Sequence, residues 1–171
     1  MDELKNLLEY ISGVAIHPES LLDFQLEPLL SKKGLIPGVR TDTGLSPIPR
    51  YQHEFMTEGI DGLILRLHTY RAAGARFAQW RAVVGCSSIQ SGFPSRLALD
   101  IHADRLAQFA SISQQAGVVP LLDISVEADG DADLVRSADI HEKILGAMFE
   151  RLRTHHVLIE GEFMRRSIDW S

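Results

Sequence analysis

The stretch Gly74–Val84, GARFAQWRAVV, restricts the fold of this chain more than any other. Gly74 ends the amphipathic segment before it, because a residue without Cβ enters the left-handed helix cap cheaply. From Phe77 to Val84 the pattern switches to alternation. Gln79, Arg81 and Val83 fall on one face of a strand, and Ala78, Trp80 and Ala82 on the other. Polar groups on one face of an otherwise apolar strand predict an inner face that lines a polar barrel interior or cleft.

The same helix-then-strand rhythm runs along the chain. Leu4, Leu7, Leu8 and Ile11 predict a short helix, and Gly13–Ile16 a strand closed by His17-Pro18. Glu19 to Leu30 reads as a helix interrupted at Pro28, and Leu35–Thr41 as a second strand. Thr43–His53 reads as a loop rich in Gly and Pro. Thr57 is expected to cap a helix through Ile60, Leu63, Ile64 and Leu67. Beyond the Phe77 strand, helices are expected over Ser95–Ala116 and Asp131–His155. Strands are expected over Val118–Asp123 and Val157–Glu160. Strands alternating with helices imply parallel βαβ units and an α/β fold.

Composition sets the functional class. With 171 residues, 45% of them hydrophobic, residues 1–171 are expected to form one globular domain with an aliphatic core. The formal net charge of -6 argues against nucleic acid or an anionic membrane as partner. Cys86 is the only cysteine, which excludes an internal disulfide and a cysteine-based metal site. The acidic N-terminus has no signal-peptide pattern and no segment has bilayer length, so a cytoplasmic protein is expected.

Several segments, in chain order, are similar to motifs of the class I (Schiff-base) fructose-bisphosphate aldolases, a (β/α)8 family. They are YISGVAIHPESL at Tyr10–Leu21, PGVRTDTG at Pro37–Gly44, TEGIDGL at Thr57–Leu63 and GARFAQWRAVV itself. Further along come FASISQQAGVVP at Phe109–Pro120, ADGDAD at Ala128–Asp133 and HHVLIEG at His155–Gly161. The resemblance implies an incomplete TIM barrel of about five parallel strands with intervening helices, matching the family's second to sixth.

The departures from the family fall on its chemistry. The resemblance places Arg165 where the family has its Schiff-base lysine. An amine can lose a proton, attack a carbonyl and become an iminium, whereas a guanidinium stays protonated. Gln79 replaces a second lysine beside the retained Arg81, and Arg40 a third that can still hold a phosphate. The family's two glutamates become Asp123 and Ser125, which removes a paired acid–base arrangement. The lysines are Lys5, Lys32, Lys33 and Lys143, none of them on an expected strand. Loss of Schiff-base catalysis is therefore expected, leaving a binding or interaction protein. The alternatives are an aldolase-like lyase of glycolysis, or different chemistry on a phosphorylated sugar by Asp123 or Glu162.

Arg40, Asp42, Gln79, Arg81, Asp123, Glu162 and Arg165 are expected to converge. They either form an anion pocket, with Arg40, Asp42, Arg81 and Arg165 binding a phosphorylated small molecule, or pair with one another as a filled interior. No cofactor or metal is expected. His155-His156, the remaining histidines and the Asp129-Gly130-Asp131 turn read as structural, as does Cys86 as a packing thiol. A grouping of Asp123, Glu160 and Glu162 around a hard cation is the weaker option. Five parallel strands cannot close a barrel of this type, so a homo-oligomer or a protein partner is expected to cover the two open edges.

Overall fold

The computed structural model describes residues 11–87, 92–128, 134–161 and 163–170, from residue 161 onward as backbone only. Five parallel strands form one sheet: β1 (Gly13–Ile16), β2 (Ile36–Arg40), β5 (Phe77–Cys86), β6 (Val119–Ala128) and β7 (Phe163–Trp170), in that spatial order. Between them run the short helices α1 (Pro18–Leu22) and α2 (Glu27–Lys32), then α3 (Leu63–Ala72), α4 (Arg96–Gln115) and α5 (Leu134–Thr154). A separate antiparallel hairpin joins β3 (Gly44–Pro47) to β4 (Phe55–Glu58). The result is a curled half-barrel with helices on its convex side.

The alternation in β5 is realised residue by residue. Its even-numbered positions, from Ala78 to Cys86, are buried, and its odd-numbered positions are half-buried. Trp80 is at the centre of the helix-packed layer, 5.5 Å from Phe109 between ring centroids. Around it lie Ala78, Ala82, Leu106, Leu122, Ile124, Ile144 and Met148 in one continuous core. Small residues on β5 let α4 approach the sheet closely, and the large ones on α4, α5 and β6 fill the space.

Helix ends follow their sequence signals where local chemistry is sufficient. Gly74 adopts φ 102° just past α3. The Ser95 hydroxyl accepts the Ala98 N–H at 3.1 Å at the start of α4, as an N-cap should.

Several expectations are corrected. Thr57 caps no helix: it lies in β4, and its hydroxyl donates to the Arg81 carbonyl at 2.9 Å. The cap of α3 is Gly62, in the left-handed region. The loop expected over Thr43–His53 contributes β3 to the hairpin. The break between α1 and α2 falls before Pro28, with Gln25 at φ 47°, and Pro28 occupies the first turn of α2 where its missing N–H costs nothing. Val157–Glu160 forms no strand. Gln114 on α4 binds the Leu158 N–H and carbonyl at 2.9 and 2.8 Å, a 3-10 turn follows at Ile159–Gly161, and the strand begins only at Phe163. The strand from Val119 runs on to Ala128, so Asp123 and Ser125 both lie within it. The expected helix over Leu4–Leu8, Lys5, the turn at Asp129–Asp131 and Glu162 lie outside the described residues.

Candidate functional site

Register brings the candidate residues together. Arg40 at the end of β2 pairs with Gln79, Arg81 pairs with Asp123, and Val83 with Ser125. Partners in a parallel ladder point to the same side, so Arg40, Gln79, Arg81, Asp123 and Ser125 share the concave face. The backbone of Arg165 pairs with Asp123 on β7. Towards the strands' N-terminal ends the same face is apolar, with Ile36, Phe77 and Leu121. Gly38 is there because the Phe77 ring lies over it: a Cβ at that position would fall 2.2 Å from the ring.

Asp42, just after β2, is the anchor at the polar end. Both its carboxylate oxygens accept the Arg40 Nε–H at 3.1 Å, and Oδ2 also accepts from Nη2 at 2.9 Å. The Arg40 side chain is 39% exposed and that of Asp42 5%, a two-point pairing at the lip of the face. The Asp42 hydrogen bond raises the Arg40 pKa above its ordinary value, against the opposing effect of burial, and the charges of Asp42 and Asp123 add to the rise. The Arg81 backbone N–H reaches Asp42 Oδ1 at 3.5 Å. Deeper in, the Gln79 amide donates to Asp123 Oδ2 at 2.7 Å. Arg81 Nη2 donates to the Ser125 hydroxyl at 3.0 Å.

These contacts show what the face can and cannot do. It offers guanidinium donors for anions, and a buried carboxylate and hydroxyl for sugar-type hydroxyl groups. It offers no described amine. Lys32 ends α2, Lys33 follows it, and Lys143 bonds Asp139 at 2.7 Å on the exposed side of α5. An open cleft of about 530 Å³ adjoins the lip, between His17, Arg40, Asp42, Thr43, Arg66 and Tyr70.

The other candidates are dispersed. Cys86 is buried at the end of β5 against Val84, Val126 and Ile140, on the helix-packed side away from the site. Asp123 is on the concave face while Glu160 lies in the 3-10 turn before β7, so those two do not form a cation site. Among the described residues no three His, Cys, Asp or Glu side chains are grouped as metal ligands. His155 Nε2 is 3.3 Å from Asp104 on the outer helices.

Three residues that support the site carry no obvious signal in the sequence. The Thr41 hydroxyl donates to the Gln79 carbonyl at 2.8 Å. With Thr57, which serves Arg81 in the same way, it satisfies β5 where β2 stops. Arg66 on α3 donates to the carbonyls of Thr41 and Gly59 and ties down the chain leaving β2 and β4. A threonine at a strand end is a weak hint of this role; Arg66 reads as an ordinary helix-surface charge.

Comparison with known proteins agrees with this geometry. A family model described as fructose-bisphosphate aldolase class-I matches residues 2–169. Fructose-bisphosphate aldolase 1 of Toxoplasma gondii is 38% identical over 168 residues, 94% of this chain and 46% of that protein. The aldolase of Dictyostelium discoideum is 35% identical, over 92% of this chain and 45% of its own length. A solved aldolase from Plasmodium falciparum, in a ternary complex with TRAP and a small-molecule inhibitor, superposes with a TM-score of 0.88 at 36% identity. That match covers 95% of this chain and 48% of that one. The chain thus spans about half the length of the curated relatives it matches. A half-barrel that superposes on a solved aldolase, together with a family match over nearly its whole length, places this chain in the class I fructose-bisphosphate aldolase family.

Proposed function

We propose that this aldolase-family chain forms no Schiff base and that its concave face binds a phosphorylated small molecule through Arg40 and Arg81. The observation that carries the reading is that, among the described residues, no amine stands on the polar face where Arg40, Gln79, Arg81 and Asp123 meet. Gln79 spends its amide on Asp123, Arg165 holds the register position beside Asp123, and the described lysines lie elsewhere. A guanidinium keeps its proton and cannot add to a carbonyl, but it binds phosphate well.

The test has two parts. Incubation with dihydroxyacetone phosphate or fructose 1,6-bisphosphate followed by borohydride reduction should leave the intact mass unchanged. Binding of the same compounds, followed by calorimetry, should weaken roughly tenfold or more in Arg81→Ala, the loss expected for a hydrogen bond to a charged group. A stoichiometric adduct mapped to any lysine would overturn the first part, and undiminished binding in the variant the second.

A second reading, lyase activity on fructose 1,6-bisphosphate, draws on family membership alone, and fold membership does not carry chemistry when the site residues differ. Among the described residues β1 and β7 are the edge strands of the sheet, and we propose that further polypeptide covers them. Slow amide hydrogen exchange along Gly13–Ile16 in the native assembly is the expected sign; exchange at the rate of exposed backbone would rule it out. A cytoplasmic location is proposed from the chick-pea and spinach relatives, described as cytoplasmic isozymes. Among the described residues no helix is long and apolar enough to cross a membrane.

A further inference from the structure

The tip of the β3–β4 hairpin holds its backbone in two conformations that side chains disfavour. Pro49 and Arg50 are the central residues of a turn closed by the Tyr51 N–H on the Ile48 carbonyl at 3.0 Å. Arg50 lies at φ 68°. With proline first and a positive φ second this is a type II turn, whose second position ordinarily belongs to glycine. His53 follows at φ 66°, just before the Ile48 N–H closes the loop on the Glu54 carbonyl at 2.9 Å. In the left-handed region a Cβ crowds the following carbonyl. Glycine would relieve both positions, so an arginine and a histidine stand there at a cost in stability.

Packing within the chain does not account for these two residues. Both are exposed. The His53 ring lies against Phe93, 6.3 Å between centroids, and Glu54 fastens the tip to Ser95 at the start of α4. These contacts fix the tip without requiring its unfavourable torsions. Backbone strain kept in an exposed but tied-down loop points to recognition.

The placement of the tip says what it recognises. β4 runs beside β5, with Thr57 level with Arg81, whose carbonyl it binds. Further along, the His53 carbonyl lies 3.7 Å from where a Cβ on Gly85 would be. Gly85 shares the concave side of β5 with Gln79 and Arg81 by the strand's alternation. The tip therefore stands over the concave face about 13 Å beyond Arg81, at roughly 3.3 Å per strand residue. Glu127, the ladder partner of Gly85, is exposed at the same level and can accept from hydroxyl groups. We infer that Arg50 and His53 form a distal subsite, which binds a second anionic group of the ligand held by Arg40 and Arg81. The hairpin tip then selects ligands by length. This inference rests on the reading of the concave face as a phosphate-binding surface.

The experiment compares affinities by calorimetry for two compounds. Fructose 1,6-bisphosphate has an anion at each end; dihydroxyacetone phosphate has one and is too short to reach the tip. The parent protein should prefer the bisphosphate. Arg50→Ala and Arg50→Gly should each lower the ratio of the two affinities roughly tenfold or more, the loss expected for a hydrogen bond to a charged group. Thermal melts separate recognition from folding. Arg50→Gly removes the strain and should raise Tm by about 2–4 °C, whereas Arg50→Ala keeps the Cβ and should leave Tm near that of the parent. Higher stability with poorer selectivity is not what a merely structural residue would give. No preference in the parent, a ratio unmoved by Arg50→Ala, or a lower Tm in Arg50→Gly would overturn the distal subsite alone. A parent that binds neither compound would overturn the reading of the concave face as well.

Discussion

Trp80→Ala is expected to lower the unfolding free energy by about 4 kcal/mol, the range for removing a large aromatic side chain from a closed core. For a chain of this size that corresponds to a fall in Tm of roughly 8–16 °C. Trp80 is fully buried on the side of β5 that faces the helices, with Phe109 tilted against it. Its neighbours on the strand are alanines at 78 and 82, too small to close the cavity. Trp80→Phe keeps part of the ring contact and removes an indole N–H that has no hydrogen-bond partner among the described residues. It should therefore cost less than about half as much. Denaturant unfolding of the two variants gives both numbers. A loss below about 1.5 kcal/mol for Trp80→Ala would mean that the helices do not close over β5 as described.

The second large effect is a dependence of stability on pH centred on His102. This side chain is buried on α4 under the hairpin, and its Nε2 lies 2.9 Å from the Phe55 carbonyl. A carbonyl only accepts, so Nε2 carries the hydrogen and Nδ1 is the bare nitrogen of the neutral ring. Nδ1 has no partner. Burial lowers the pKa from 6.5 to about 4, against the opposing pull of the Phe55 hydrogen bond and the Glu54 charge.

Between those two values the unfolded chain binds a proton that the folded chain refuses, so stability falls as the pH drops through this window. The loss reaches about 3 kcal/mol near pH 4, levels off below it, and is absent above neutrality. His102→Gln keeps a donor for Phe55 and cannot titrate. The stability difference between the parent and this variant, followed from pH 7 to pH 4, isolates the histidine from every other group. A difference that stays constant with pH would refute the assignment.

The same neighbourhood shows how far local sequence carries. Ser95 announces the start of α4 by its residue type, and its cap is formed as expected. Glu54 gives no such notice, yet its carboxylate is buried and accepts both the Ser95 N–H, at 2.5 Å, and the Ser95 hydroxyl, at 2.6 Å. It joins the hairpin to a helix 41 residues further along. Thr57 reads as a helix cap because threonine often is one, and its hydroxyl does satisfy a backbone group. That group is the Arg81 carbonyl on β5, a partner defined by strand placement and invisible to spacing. Val157–Glu160 is apolar enough for a strand, but Gln114 holds both polar groups of Leu158 and leaves it turned.

The concave face divides in the same way. The alternation of Gln79, Arg81 and Val83 against Ala78, Trp80 and Ala82 is a local property of a two-residue repeat, so the polar face of β5 was legible from the chain itself. That Arg40, Gln79 and Arg165 carry no amine was legible too, because a guanidinium or an amide differs from an amine wherever it sits. Which groups meet was not legible. Arg40 with Asp42, Gln79 with Asp123 and Arg81 with Ser125 depend on the register of β2, β5 and β6 and on distances of an ångström or less. Sequence by itself determined the βα order, the two faces of β5 and the absence of an amine at positions 40, 79 and 165, since periodicity and side-chain chemistry are carried by each residue and its near neighbours. Only the tertiary structure decided the pairings, the hairpin anchored on α4 and the extension of β6 past Asp123. Hydrogen bonds between distant residues exist only once packing has brought their strands into register.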